Sequence, residues 1–341
     1  MTLDPNVVLP LASSLLSFVF AILVFDQWLR RRRPYQLIWA LGMLWYGLAA
    51  GAEFLGSAAG WNEALYKTWY LTGAIWVAGW LGLGTAFLLG RTRFGYAFAF
   101  ALALAGLFTF LTWRRYDYPD SGIAPYVYAA VAFVLAAVVV VLQRRGSSRW
   151  TSAAGAVVVG GTLLSLVMVA LVALPPPGYA VDPVTHIPTG VLMPGYIRLL
   201  TPFFNITGAF VLILGALYSA YAFMPKVHVA GAALARRGLP GWLVVPVAGV
   251  VDFFASLPGA LDALIHGRID SRVPATILIA IGALVPAITS GANRFGATSA
   301  FFVGEFLGVL FLLAGFLVSI DVFQEFRVPF TGIVLSRRAD R

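Results

Sequence analysis

Nine stretches of the chain are apolar over roughly 20 residues each, and this repetition constrains the fold more than any other feature. A helix of about 20 residues crosses the hydrocarbon core of a bilayer and satisfies its own backbone hydrogen bonds there. With 60% hydrophobic and 11% charged residues, the chain is too poor in polar side chains to cover a soluble surface. We therefore predict an all-α, polytopic transmembrane helix bundle of about nine spans. The predicted spans are residues 7–29, 36–58, 68–89, 94–112, 123–142, 151–174, 196–223, 273–291 and 298–320.

Residues 240–266 form a tenth apolar segment, which differs from the others because its interior contains Pro246 and Pro258 together with the aspartates Asp252 and Asp262. Short cytoplasmic loops of membrane proteins are enriched in Lys and Arg. If this segment stays on the cytoplasmic side, 18 of the 23 basic residues are cytoplasmic, whereas a crossing would give 13 inside and 10 outside. The sequence therefore predicts a cytoplasmic interfacial or re-entrant helical hairpin here. It also predicts a bacterial inner (plasma) membrane protein with its N-terminus outside and its C-terminus in the cytoplasm.

This topology divides the chain into four parts. They are a seven-span bundle (1–223), the cytoplasmic interfacial or re-entrant segment (224–272), two further transmembrane helices (273–323) and a basic cytoplasmic tail (324–341). Because the arginines gather on one side, we expect anionic lipid headgroups on the cytoplasmic face as partners and no nucleic acid. The outer loop 175–195 holds six prolines and forms either a lid over a pocket or, the favoured interpretation, a stiff connector.

The residue types needed by common membrane cofactors are absent or misplaced. The chain has no cysteine, its three histidines lie outside the predicted spans, and its two lysines, Lys67 and Lys226, lie at span edges. We therefore expect no haem, retinal, iron–sulfur or zinc cofactor and assign no metal site and no catalytic residue. The loops are too short for a soluble catalytic domain, so an enzyme is the less favoured class.

Apart from Asp26, near the cytoplasmic end of the first span, two acidic residues lie inside predicted spans. A charged side chain costs about 2.5–3.5 kcal/mol near the centre of a membrane helix and is kept there when it is paired or functional. Glu53 in the second span and Glu305 in the ninth both fall in the outer third of the membrane, as does Asn205 in the seventh. This shared depth predicts an outward-facing polar site that binds a ligand or a proton. The cations expected at the same level are Lys67, Arg198 and Arg294.

Purely structural alternatives exist for these residues. The ion pairs Glu53–Lys67 or Glu305–Arg294 would tie helices together without any chemistry. The tryptophans Trp69, Trp76 and Trp80 share one face of the third span and either line an aromatic pocket or, more commonly, face lipid or pack in the core. Pro286 is expected to kink the eighth span close to Ser290 and Asn293.

Three segments resemble a group of uncharacterised bacterial polytopic membrane proteins with no assigned activity. They are YKTWYLTGA (66–74), NITGAFVLILGALYSAY (205–221) and LIAIGALVPA (278–287). The resemblance covers roughly residues 36–90, 196–223 and 273–320 and implies a multi-helix membrane protein, with no functional residue to carry over.

The sequence thus favours binding or transport of a small solute, proton or ion through the outward-facing site. One alternative is a non-catalytic membrane subunit or receptor-like sensor that docks a cytoplasmic partner through residues 224–272. A weaker alternative is a quinone-reactive membrane enzyme subunit that uses the same carboxylates.

Overall fold

The predicted helix bundle is confirmed. The computed structural model describes residues 4–116, 118, 120–146, 148–229, 241–266, 268–294, 296–318, 325–327, 329–331 and 334–336. Within these ranges, ten helical stretches are long and apolar enough to cross a membrane. Their length and composition suit a multi-pass membrane protein, because each can bury a full span of apolar side chains in lipid.

In chain order the helices are α1 (Pro5–Arg31), α2 (Pro34–Ala59), α3 (Glu63–Trp69), α4 (Val77–Leu88), α5 (Gly95–Tyr116), α6 (Ala124–Arg144), α7 (Trp150–Leu171), α8 (Gly195–Arg198), α9 (Leu200–Phe223), α10 (Gly241–Ile265), α11 (Arg272–Arg294) and α12 (Phe301–Val318). Most of the first helices are joined by short connections, and the loop 172–194 separates α7 from α8. A π-helix, Tyr70–Trp76, joins α3 and α4 into one continuous third span.

The two ends of the bundle differ, and we name them here. The end that carries Arg30–Arg33 is the arginine-rich face, and the end that carries the loop 172–194 is the loop face. The side-chain amide of Asn6 donates a hydrogen bond to the Thr185 carbonyl (2.9 Å), so α1 begins at the loop face. The Lys67 ammonium donates to the Val172 carbonyl (2.6 Å), which places the start of the third span there too.

Within segment 240–266, residues Gly241–Ile265 form one uninterrupted helix, α10, so the hairpin prediction is wrong. A proline inside a helix can bend it without ending it, which is why its two prolines do not divide α10. The Arg272 guanidinium lies 4.6 Å from the Phe223 ring centroid, so α9 ends and α11 begins at the same face. Ala260 of α10 packs with Met224 and Val273 in a buried cluster beside these two ends. Because α9 ends and α11 begins at the same face, the segment between them makes no net crossing of the bundle. This arrangement fits nine spans, with α10 lying at the arginine-rich face.

The last two long helices belong to the same bundle as the first seven spans. Val309 and Leu313 of α12 share a buried apolar cluster with Phe20, Met43 and Leu212 of α1, α2 and α9. The helices α11 and α12 therefore pack into the same core as the first seven spans.

Close helix contact brings α9 against the third span. A Cβ atom at Gly208 would overlap the backbone carbonyl of Ala78, and one at Gly82 would meet the backbone of Gly208. Small residues at such crossings let helix backbones approach closely. This contact holds the middle of α9 beside the π-helix, where the candidate site lies.

Some C-terminal residues return to the arginine-rich face. Two three-residue strands, β1 (Glu325–Arg327) and β2 (Val334–Ser336), pair antiparallel. The Phe330 amide donates to Asp26 Oδ1 (3.1 Å), and Asp26 also forms an ion pair with Arg30 (2.6 Å). Residues 337–341, which carry the basic end of the predicted tail, lie outside the described residues.

Candidate functional site

A cavity of about 440 Å³ lies among the loop-face ends of the helices. Its walls come from the π-helix, the end of α5, the loop around Asp182, the start of α9, the end of α11 and the start of α12. The exposed side chains in its lining include Tyr116, Pro183 and Val191, all at the loop face. The cavity therefore opens at that face, and its size is typical of small-molecule sites.

The inner end of the cavity contains a pair of carboxyl groups. Glu305 lines the cavity, and Glu53 lies behind it with no exposed surface. The two side chains are close enough for their charges to interact. The indole N–H of Trp69 donates to Glu53 Oε1 (2.7 Å), while Glu53 Oε2 takes no hydrogen bond from any described residue. Among the described side chains, no cation lies within ion-pair distance of either carboxyl.

The π-helix shapes one wall of the cavity. It supplies Tyr70, Gly73 and Ala74 to the lining. The side-chain amide of Asn205 donates a hydrogen bond to the Ala74 carbonyl (3.0 Å). Asn205 Oδ1 is buried and takes no hydrogen bond from the described residues. Single π-helical turns inside α-helices occur frequently at functional sites.

Two charged residues lie in the outer part of the cavity lining. The Arg198 guanidinium is half-buried and lies 4.5 Å from the centroid of the Tyr118 ring. Asp182 lies in the loop, where its Oδ1 accepts from the amides of Thr185 (2.8 Å) and Val184 (3.0 Å) and from the Thr185 hydroxyl (3.0 Å). These hydrogen bonds, above all that from the Thr185 backbone, lower the pKa of Asp182, so it is ionised at neutral pH.

The Pro-rich loop is tied down at several points while it lines the cavity. The Tyr66 hydroxyl donates to the Thr189 carbonyl (2.5 Å), and the Thr185 and Thr298 hydroxyls are hydrogen-bonded (2.8 Å). Ile187 is buried against Phe301 and Phe302. The loop therefore forms part of the cavity wall, a position that either a lid or a stiff connector can occupy.

The structure brings together four of the six residues that the sequence singled out. Glu305, Asn205 and Arg198 line the cavity, and Glu53 adjoins Glu305. Lys67 lies apart, because its ammonium pairs with Glu63 (2.7 Å), so the alternative Glu53–Lys67 pair is not formed. The side chain of Arg294 lies outside the described residues, and so does any pairing of it with Glu305.

Trp69 and Trp76 of the tryptophan stripe are buried inside the protein, and Trp80 is partly buried. Trp69 donates to Glu53, Trp76 to the Ser165 hydroxyl (2.9 Å) and Trp80 to the Thr162 hydroxyl (3.1 Å). Of the three, Trp69 lines the cavity, so the core-packing interpretation holds for Trp76 and Trp80.

Sequence reasoning did not select Asp182, Tyr118 or the π-helix. The spacing of Asp182 and Thr185 is typical of an Asx turn and would have predicted a turn. It would not have placed that turn over a cavity formed by distant helices. Ser290 and Asn293, noted beside the Pro286 kink, do line the cavity.

No family model, curated protein or solved structure matches this chain. The resemblance to uncharacterised bacterial membrane proteins therefore stays a prediction. Among the described residues, no group of three or more histidines, aspartates and glutamates is placed to hold a metal ion.

Proposed function

We propose that this protein binds a small solute from the loop face and carries it across the membrane together with a proton. The observation that carries the proposal is the cavity itself, which opens at the loop face and ends at Glu305 beside the buried Glu53. Intramembrane acids that face a cavity in a helix bundle are typical of solute and proton pathways.

The proton belongs to the pair of carboxyl groups at the inner end. Two buried carboxylates that adjoin one another repel when both are ionised, so holding one proton between them lowers the energy. The Trp69 indole donates to Glu53 Oε1, which stabilises a charge on that carboxyl and leaves Glu305 facing the cavity. In the proposed function Glu305 takes up the proton from the cavity and releases it again, and Glu53 shares this proton with Glu305.

The proposed setting is a bacterial inner membrane with the arginine-rich face in the cytoplasm. The unequal distribution of basic residues supports this orientation, because positively charged loops remain on the cytoplasmic side. Anionic lipid headgroups would then contact the arginines of that face. The cavity would open to the outside and take its solute from there.

Reconstitution tests the proposal directly. The protein is inserted into liposomes that enclose a pH-sensitive dye, and internal acidification is recorded after an external solute is added from a panel of amino acids, organic acids, amines and sugars. We expect acidification with at least one solute class. Glu305→Gln is expected to lower the rate at least tenfold, because a glutamine cannot take up or release the proton.

Glu63→Gln is the matched control for this experiment. Glu63 is a half-exposed carboxylate at the start of the third span, paired with Lys67 outside the cavity lining, so its loss should leave the rate within twofold. A Glu305→Gln protein that elutes and melts as the wild type does and still acidifies the liposomes at the wild-type rate contradicts the proposal.

A second candidate is a membrane subunit or sensor that docks a partner through α10. The observation that favours it is the row of exposed apolar side chains on that helix, among them Val250, Phe254 and Leu261. Purification from native membranes in mild detergent, followed by mass spectrometry, distinguishes the two. A stoichiometric partner that is lost in Phe254→Ser, with no solute-dependent acidification, would support this candidate over transport.

A further inference from the structure

Arg198 is a cavity-lining cation that none of the described carboxylates neutralises. Its guanidinium lies over the Tyr118 ring at 4.5 Å, which orients the group, and it forms no ion pair with any described carboxylate. A guanidinium presents several N–H donors in one plane and matches a carboxylate or phosphate in geometry. An oriented arginine of this kind, lining an open cavity, is suited to hold an anionic group of a ligand.

Asp182 is the complementary group in the same cavity lining. Its Oδ1 accepts hydrogen bonds from the backbone amides of Val184 and Thr185 and from the Thr185 hydroxyl. The remaining oxygen, Oδ2, takes no hydrogen bond from the described residues. Asp182 forms no ion pair with Arg198 or with any other described cation. Two opposite charges that share a cavity without pairing leave space between them for a ligand that carries both signs.

The rest of the lining suits a ligand body of mixed polarity. Tyr70 and Phe301 provide aromatic surface, and Thr201, Ser290 and Asn293 provide hydrogen-bonding groups. A volume of about 440 Å³ accommodates a molecule of the size of a free amino acid.

We infer that the solute is a small zwitterion such as an α-amino acid or a betaine, with its carboxylate on Arg198 and its ammonium group on Asp182. The inference rests on the proposed function of solute binding and deepens it by naming the solute class. It assigns the Glu53–Glu305 pair to the proton alone, so the ligand neutralises the outer charges and leaves the inner pair unchanged.

A binding series on the wild-type protein tests the inference without any variant. Purified protein in lipid nanodiscs is titrated with the twenty amino acids and glycine betaine, and binding is measured by calorimetry. For the amino acid that binds most tightly, the acid that lacks the amino group and the amine that lacks the carboxylate are then titrated. We expect the zwitterion to bind at least tenfold more tightly than either analogue, because each analogue leaves one charge of the cavity unpaired.

Two variants assign the charges to their residues. Arg198→Gln should weaken the zwitterion at least tenfold and leave the affinity for the amine analogue within twofold. Asp182→Asn, which keeps an oxygen for the turn, should weaken the zwitterion and leave the affinity for the acid analogue within twofold. Arg114→Gln is the matched control, since the Arg114 guanidinium also lies over an aromatic ring, Trp113 at 5.6 Å, outside the cavity lining.

Three results would overturn the inference. Equal or tighter binding of the acid analogue would indicate an organic-anion site, and equal or tighter binding of the amine would indicate a cation site. Failure of every zwitterion in the panel to bind would also reject it. In that last case the liposome experiment with acids, amines and sugars still decides the proposed function, so the two ideas fail separately.

Discussion

The cavity region and the α10 region hold their acidic residues in opposite ways. Around the cavity, Glu53 and Glu305 adjoin each other inside the bundle, and the contact that fixes Glu53 is an uncharged indole N–H. In the α10 region, Asp252 lies 3.3 Å from the His228 ring nitrogen and Asp262 lies 2.9 Å from the Arg268 guanidinium. The acids of α10 are thus paired with basic side chains, whereas Glu53 and Glu305 lie against each other.

The packing around these acids differs as well. The third span and α9 touch at glycines where the backbone itself is in contact, as at Gly208. On α10, a Cβ atom added to Gly249 or Gly259 would meet no other atom within 4 Å, and attachment depends on contacts such as that of Ser256 with the Val227 amide (3.0 Å). The cavity is therefore built into a close-packed scaffold, whereas α10 is attached to its end.

The largest expected effect comes from adding one methyl group in each region. Gly208→Ala places a methyl against the Ala78 carbonyl, and relieving this overlap should cost about 3 kcal/mol of unfolding free energy. Gly259→Ala faces open space on an exposed part of α10 and should stabilise the helix by about 0.5–1 kcal/mol. Unfolding in mixed detergent measures both. Equal effects of the two variants would show that the regions are packed alike.

The next effect concerns the indole that holds Glu53. Trp69→Phe keeps the ring but removes the donor, which leaves a buried carboxyl oxygen without its hydrogen bond and should cost about 2 kcal/mol. Trp76→Phe in the same span removes a hydrogen bond to the uncharged Ser165 hydroxyl and should cost about 1 kcal/mol. The measurement is again detergent unfolding. A smaller loss for Trp69→Phe than for Trp76→Phe would contradict a special role of the Glu53 contact.

A smaller effect is expected for a paired acid at the arginine-rich face. Arg30→Gln removes the 2.6 Å ion pair with Asp26, but Arg30 is about one-third exposed, so water compensates for most of the lost interaction. The expected loss is at most about 1 kcal/mol. Asp26 also keeps the hydrogen bond from the Phe330 amide. A loss larger than that of Trp69→Phe, in the same assay, would reverse the proposed contrast between acids paired with a cation and the adjoining Glu53–Glu305 pair.

The smallest effect is the response of the loop to acid. Hydrogen bonds to the ionised carboxylate hold the pKa of Asp182 below its ordinary value of 3.8, so they stabilise the turn at neutral pH. This stabilisation is complete above the ordinary pKa and disappears as the pH falls through the lowered value. Amide hydrogen exchange of Val184 and Thr185 should therefore lose protection below about pH 4. In Asp182→Asn the protection should be independent of pH over the same range, and a persistent pH response there would assign it to another group.

Much of the fold could be predicted from the sequence. The nine apolar stretches predicted the long helices, because burying a span in lipid requires a minimum length of apolar residues. The prolines of segment 240–266 favoured a hairpin, and this prediction was wrong. A proline can be accommodated in a helix that continues on both sides of it. The position of its neighbours, Met224 and Val273, in one cluster could not be read from the sequence.

For the site, depth in the membrane was the informative quantity. Glu53, Asn205 and Glu305 are far apart in sequence and share a level that the span boundaries already define, so the amino-acid sequence was enough to predict that they could meet. Which of them do meet depends on helix rotation and neighbour order, and these were settled only by the packed bundle. The packing turned Lys67 toward Glu63, joined Asp182 and Arg198 to the same cavity and set Glu53 against Glu305, because side-chain contacts across helices follow from close packing and not from position along the chain.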